Sequence, residues 1–103
     1  MRELTDEKMV EFEAYLRREE KSKATIDKYM RDISCFYVFL SDRILCKEET
    51  IAYKNRLIEE YAPASVNSML VALNCFLRHI GSQECCVKLL KIQRQIFINE
   101  EKE

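Results

Sequence analysis

Residues 24–40 and 64–80 are two versions of one stretch, and this duplication constrains the fold more than any other feature of the chain. At a spacing of forty, Ala24, Thr25, Ile26 and Asp27 align with Ala64, Ser65, Val66 and Asn67, and Ile33-Ser34-Cys35-Phe36 aligns with Leu73-Asn74-Cys75-Phe76. The apolar positions repeat as well. Ile26, Tyr29, Met30, Ile33, Phe36, Tyr37 and Leu40 match Val66, Met69, Leu70, Leu73, Phe76, Leu77 and Ile80. Such spacing has the 3.6-residue period of an amphipathic helix with one broad core face. Two copies are too few for a solenoid. The expected fold is therefore all-α: a compact bundle of two helical hairpins, with four main helices and room for a short fifth.

A single Gly and a single Pro among 103 residues leave little turn chemistry for anything but helices. The helix starts can be read independently of the apolar pattern. Thr5 is placed to cap a first helix that opens on Asp6-Glu7 and buries Met9, Phe12 and Leu16, with Val10 and Tyr15 at the edge, up to about residue 20. Ser22 is placed to cap the second helix, which puts Thr25 at the third helical position. Forty residues on, Pro63 suits the first position of the fourth helix, and Gly81 suits its end. A third helix is expected over roughly 47–61, with Ile51, Leu57 and Ile58 inward and Tyr53 and Tyr61 as further candidates. A short helix is expected over 84–90. Residues 91–98 alternate, with Ile92, Arg94, Ile96 and Ile98 on one side if extended, before a polar end.

No apolar run approaches the roughly 18 residues of a membrane span, and the acidic N-terminus is unlike a signal peptide. A cytoplasmic protein without a membrane partner is expected. Five cysteines are an odd number, Cys85 and Cys86 are adjacent, and His79 is the only histidine. The expectation is reduced thiols, no metal site and no cofactor.

Net charge is −1, but its distribution is uneven. Residues 1–16 hold two basic and five acidic side chains. Residues 17–31 hold six basic against three acidic, and residues 61–98 hold four basic against one acidic. The basic excess therefore falls on the repeated unit and the segment after it. A solvated face is the plain explanation of such runs, and an anionic partner is the functional one.

The two repeated stretches have a further property. Ser22-Lys23-Ala24-Thr25-Ile26-Asp27-Lys28-Tyr29-Met30-Arg31-Asp32-Ile33, followed by Phe36 and Phe39-Leu40, resembles the first signature of the N-terminal, SAM-like core-binding domain of tyrosine recombinases (phage integrases). Ala64-Ser65-Val66-Asn67, Leu70, Ala72-Leu73 and Phe76-Leu77 resemble that domain's second signature. The resemblance covers about residues 4–82. It implies a core-binding domain over 1–90 and a linker over 91–103 leading to a separate catalytic domain. Two departures stand out. The Asn-Pro common after the fourth helix is replaced by Glu84-Cys85-Cys86, and nothing beyond Phe97 supplies the Tyr, Arg, Lys and His set that strand cleavage needs. Tyr15, Tyr29, Tyr37, Tyr53, Tyr61 and His79 are read as core or rim residues. The chain itself is not expected to cleave DNA.

The resemblance implies that the second and fourth helices approach the major groove of double-stranded DNA. Partners would be that duplex, other recombinase protomers and the catalytic domain of the same chain. Helix N-termini favour phosphate. The candidate contacts are Lys21, Lys23, Thr25, Lys28 and Arg31 on the first unit and Ser65, Asn67, Ser68 and Arg78 on the second. Thr25 and Ser65 can equally serve as caps, and Asn74 as a solvated helix residue. Arg17 and Arg18 are expected to be surface charges. The rival class is a four-helix protein-interaction module without DNA binding, which the acidic pI of 5.9 favours.

Overall fold

A computed structural model describes residues 5–92. Among these there are four α-helices, one short 3-10 turn and no strand: α1 (Asp6–Arg18), α2 (Lys23–Leu40), α3 (Lys47–Glu60), α4 (Pro63–His79) and the 3-10 turn Gln83–Cys85. No helix among the described residues is long and apolar enough to cross a membrane. Most of the stretch expected to link onward, from residue 93, lies outside the described residues, as does the expected alternation over 93–98.

Local chemistry sets the helix ends. Thr5 Oγ1 accepts from the Lys8 amide at 3.3 Å, and Ser22 Oγ accepts from the Thr25 amide at 3.1 Å. Pro63 opens α4, so α2 and α4 begin forty positions apart, as the repeat requires. Both α1 and α4 close with the same pair of reversed hydrogen bonds. Lys21 N reaches Leu16 O and Glu20 N reaches Arg17 O after α1, while Ser82 N reaches Leu77 O and Gly81 N reaches Arg78 O after α4. This closure needs a left-handed residue. Gly81 supplies it at φ 79°, whereas Glu20 adopts φ 63° with a side chain attached.

The helices pair as two hairpins, α1 with α2 and α3 with α4, and α2 packs most extensively on α4. The repeated positions Ile26 and Val66, Ile33 and Leu73, and Phe36 and Phe76 are all buried. Phe12 of α1 meets Phe76 edge-on at 5.1 Å between ring centroids, and Phe36 meets Tyr53 of α3 at the same separation. Tyr15, Tyr29, Tyr37 and His79 are half-buried rim residues, as expected.

Three expectations need correction. On α3, Ile51 and Ile58 are exposed and Tyr61 lies outside with them. The buried face is instead Thr50, Tyr53 and Leu57. Tyr53 packing on Phe36 fixes the rotation of the helix, and Thr50 is tolerated inside because its hydroxyl donates to the Lys47 and Cys85 carbonyls. On α1, Val10 is exposed. After α4, no helix spans 84–90. Beyond Cys85 the chain lies without regular secondary structure in the groove between α3 and α4, because side chains of those helices satisfy its main-chain groups.

Candidate nucleic-acid interface

The turn from α1 into α2 sets Lys21 and Lys23 on either side of the Ser22 cap. Lys23 is almost wholly exposed, and its ion pair with Asp27 at 3.1 Å is a surface pair that holds it loosely. Arg17, four residues before Lys21, pairs with Glu13 at 3.0 Å. Arg17, Lys21, Lys23, Ile26 and Asp27 line one shallow cleft of about 440 Å³. The end of α4 joins this region. Burial pushes the Cys75 thiol up, and the nearby charges of Arg78 and Lys21 act in the opposite direction. The rings of Tyr15 and His79, 4.7 Å apart, set the end of α4 against the later part of α1. Three cations line the cleft where α1 ends and α2 begins, and Arg78 stands exposed near the end of α4. Glu13 and Asp27 offset part of that charge.

Thr25 belongs to the same end, where its hydroxyl accepts from Ser22 Oγ at 3.0 Å. The pair serves the helix cap, and Thr25 as a residue is half-exposed. Arg31 is exposed, makes no ion pair among the described residues, and borders a second, apolar cleft with Ser34, Cys35 and Val38.

Lys28 turns inward. Its ammonium bonds the Asp32 carboxylate and donates to the Ser68 carbonyl of α4 at 3.1 Å. Lys28 and Ser68 are equivalent positions of the repeat. Val38, near the end of α2, shares a cleft with Tyr61, just before α4. The start of α4 therefore lies toward the end of α2 and away from its start. Ser65 is exposed at the far start, where Ala62 provides no side-chain cap. Asn67 faces neither start. Its amide grips the main chain of Leu90. The nine expected contacts thus divide: Lys21, Lys23 and Thr25 share the start of α2, Ser65 stands at the start of α4, Arg31 lies along α2, Arg78 is exposed near the end of α4, Lys28 and Asn67 are engaged within the fold, and Ser68 takes part through its main-chain carbonyl.

Arg17 was not expected here; it reaches the cleft because α1 ends at Arg18 and the left-handed Glu20 turns the chain back, which brings Lys21 and Lys23 beside it. The role of Asn67 and Asn74 could be read only from their shared face at i and i+7.

A separate cleft of about 290 Å³ lies between α2 and α3, lined by Cys35, Phe39, Tyr53, Leu57, Tyr61 and Met69 among others. The Tyr53 hydroxyl is buried beside it and has no hydrogen-bond partner among the described residues. Burial pushes its pKa well above the ordinary tyrosine value. All five cysteines are free thiols, and no three His, Cys, Asp or Glu side chains among the described residues group as a metal site. Comparison with protein families, with curated proteins and with solved structures gives no match to this chain.

Proposed function

We propose that this chain is the DNA-binding module of a site-specific tyrosine recombinase, a SAM-like core-binding domain. It positions the duplex and supports protomer assembly while a separate domain breaks and rejoins strands. The observation that carries this reading is the cationic end of the bundle, where Arg17, Lys21 and Lys23 line one cleft beside a capped helix start. Exposed cations at a helix N-terminus suit phosphate by charge and by the unpaired amides behind them. The start of α4, with the exposed Ser65, offers a second helix N-terminus away from the first. The two starts can then address separate phosphates. This arrangement positions a backbone and reads little sequence.

The test is fluorescence anisotropy on a labelled duplex at two salt concentrations. With about four phosphate contacts, log K falls with log salt at a slope of about −3.5, from an affinity of about 10⁻⁴ to 10⁻⁶ M. Replacing Arg17, Lys21 and Lys23 together with Ala is expected to remove most of that slope. Salt-independent binding would refute the reading, and so would a slope unchanged by these substitutions.

A second reading, a protein-interaction module, is favoured by the exposed Val38 beside Cys35 and by the unpartnered Tyr53 hydroxyl. Absence of DNA binding at low salt would select it.

A further inference from the structure

Asn67 and Asn74 stand seven residues apart on one face of α4, and each clasps the main chain of one residue in the segment after Cys85. Asn74 Nδ2 donates to the Val87 carbonyl at 2.8 Å, and its Oδ1 accepts from the Val87 amide at 3.0 Å. Asn67 does the same to Leu90, donating at 2.9 Å and accepting at 2.7 Å. Seven helical residues rise about 10.5 Å, and three extended residues span about 9–10 Å. The two amides therefore meet an extended chain in register at every third residue. The opposite wall comes from α3. Thr50 Oγ1 donates to the Cys85 carbonyl at 2.7 Å, Lys47 Nζ to that of Cys86, and Lys54 Nζ to that of Lys88 at 2.6 Å. All seven bonds end on main-chain atoms. Of the segment's side chains, only those of Cys85 and Val87 are fully buried.

We propose that the groove between α3 and α4 is a binding site for an extended polypeptide main chain. Residues 85–90 fill it here in cis, and the same segment of a second copy of this chain is the partner it takes in trans. Recognition by main-chain groups is indifferent to most side chains. It constrains only two positions, which take small apolar residues, those of Cys85 and Val87. The second copy is the partner because its segment carries those residues and reproduces every bond. Ser82 and the Gly81 turn join the segment to α4, and none of the seven bonds depends on that join. A segment attached to the same chain acts at an effective concentration in the millimolar range, so exchange requires the cis copy to be weakened first.

Two measurements on the full chain test this. In the wild type, hydrogen exchange should be slow at the Val87 and Leu90 amides and at least tenfold faster at Lys88 and Leu89, whose amides make no hydrogen bond to the described residues. Equal exchange across 87–90 would overturn the clasp without any variant having to fold. Leu90→Pro then removes the amide that Asn67 accepts from, leaving the groove intact. This variant should speed exchange at Val87 and should bind a labelled peptide of residues 85–92. The same peptide methylated on the nitrogens of residues 87 and 90 should bind at least tenfold more weakly. Mixing the Leu90→Pro chain with an Asn67→Ala/Asn74→Ala chain should give a one-to-one dimer in sedimentation equilibrium. Failure of the peptide to bind, binding unaffected by methylation, or a mixture that stays monomeric would each refute the site or its partner.

Discussion

Lys28 offers the sharpest separation between a DNA contact and a structural residue. Its side chain is 33% exposed, and that of its partner Asp32 only 8%. The ammonium also ties α2 to α4 through the Ser68 carbonyl. Lys28→Met keeps the stem and removes the charge, leaving a buried carboxylate without its cation. Breaking a fully buried pair in this way costs about 3–5 kcal/mol. Because Lys28 stands at the surface and water can enter where it stood, the expected loss is about 2 kcal/mol. Asp32→Asn is milder, about 1 kcal/mol, because the amide oxygen still accepts and Lys28 keeps Ser68. The order of the two losses follows from the unequal exposure. Urea denaturation followed by circular dichroism measures both, with the slope m unchanged if only the native state is affected. Much of the loss from Lys28→Met should persist at high salt, since a partly buried pair is screened less than a surface one. Losses below about 0.5 kcal/mol would refute the structural role. So would a DNA-binding salt slope that falls by a full unit while stability stays fixed, since Lys28 would then be a phosphate contact.

Tyr53→Phe removes a buried hydroxyl that has no partner among the described residues and should stabilise the fold by about 1 kcal/mol in the same denaturation assay. Tyrosine in the unfolded chain ionises from about pH 10, whereas burial pushes the folded Tyr53 hydroxyl up and keeps it neutral there. Wild-type stability should therefore be unaffected by this group at neutral pH and fall above pH 10 by up to about 1.4 kcal/mol per pH unit, a share absent from the Phe variant. Phe36→Ala and Phe76→Ala should each cost about 3–5 kcal/mol, because both rings are fully buried at equivalent positions of the repeat; a loss under about 1 kcal/mol would show the core face misassigned. Glu20→Gly should stabilise by about 0.5–1 kcal/mol, because φ is 63° there, and calorimetry should show a raised Tm.

The helices were legible where two independent signals coincided. Ser22 and Pro63 mark the starts of α2 and α4 by their chemistry, and the apolar period marks the same starts by spacing. On α3 only hydropathy was available, and it favoured Ile51 and Ile58 over Thr50. The burial of Thr50 depends on the Cys85 carbonyl, thirty-five residues away, which no local pattern records. The segment after Gly81 failed for the same reason. Its apolar spacing suits a short helix, but its main-chain groups are satisfied by Asn67, Asn74 and α3. Among the candidate contacts, Lys21 and Lys23 were legible because they flank a cap. Lys28 was not, because its inward turn depends on the Ser68 carbonyl of α4, forty residues away, which no local pattern records.

The duplication invites the expectation of two equal half-sites, and the structure argues against equality. The start of α2 carries Lys21 and Lys23, with Arg17 adjoining. The start of α4 reads Ala62-Pro63-Ala64-Ser65 and has no cation in its first turn. Its contribution to an anion is confined to backbone amides and one exposed hydroxyl, and a helix dipole alone is worth about 0.3–1 kcal/mol at the surface. The α2 end should therefore hold most of the affinity and nearly all of its salt dependence. Lys21→Ala/Lys23→Ala is expected to flatten the slope of log K against log salt by about two units, since each lysine displaces about one counterion. Ser65→Ala, which removes a neutral hydroxyl, should weaken binding by less than about fivefold, equivalent to about 1 kcal/mol, and leave the slope unchanged. Measured by anisotropy on the same duplex, equal effects on the slope from the two ends would mean that duplication has been kept at the level of binding as well as of fold. A larger effect from Ser65 would place the phosphate at α4 and remove the cationic cleft from the interface.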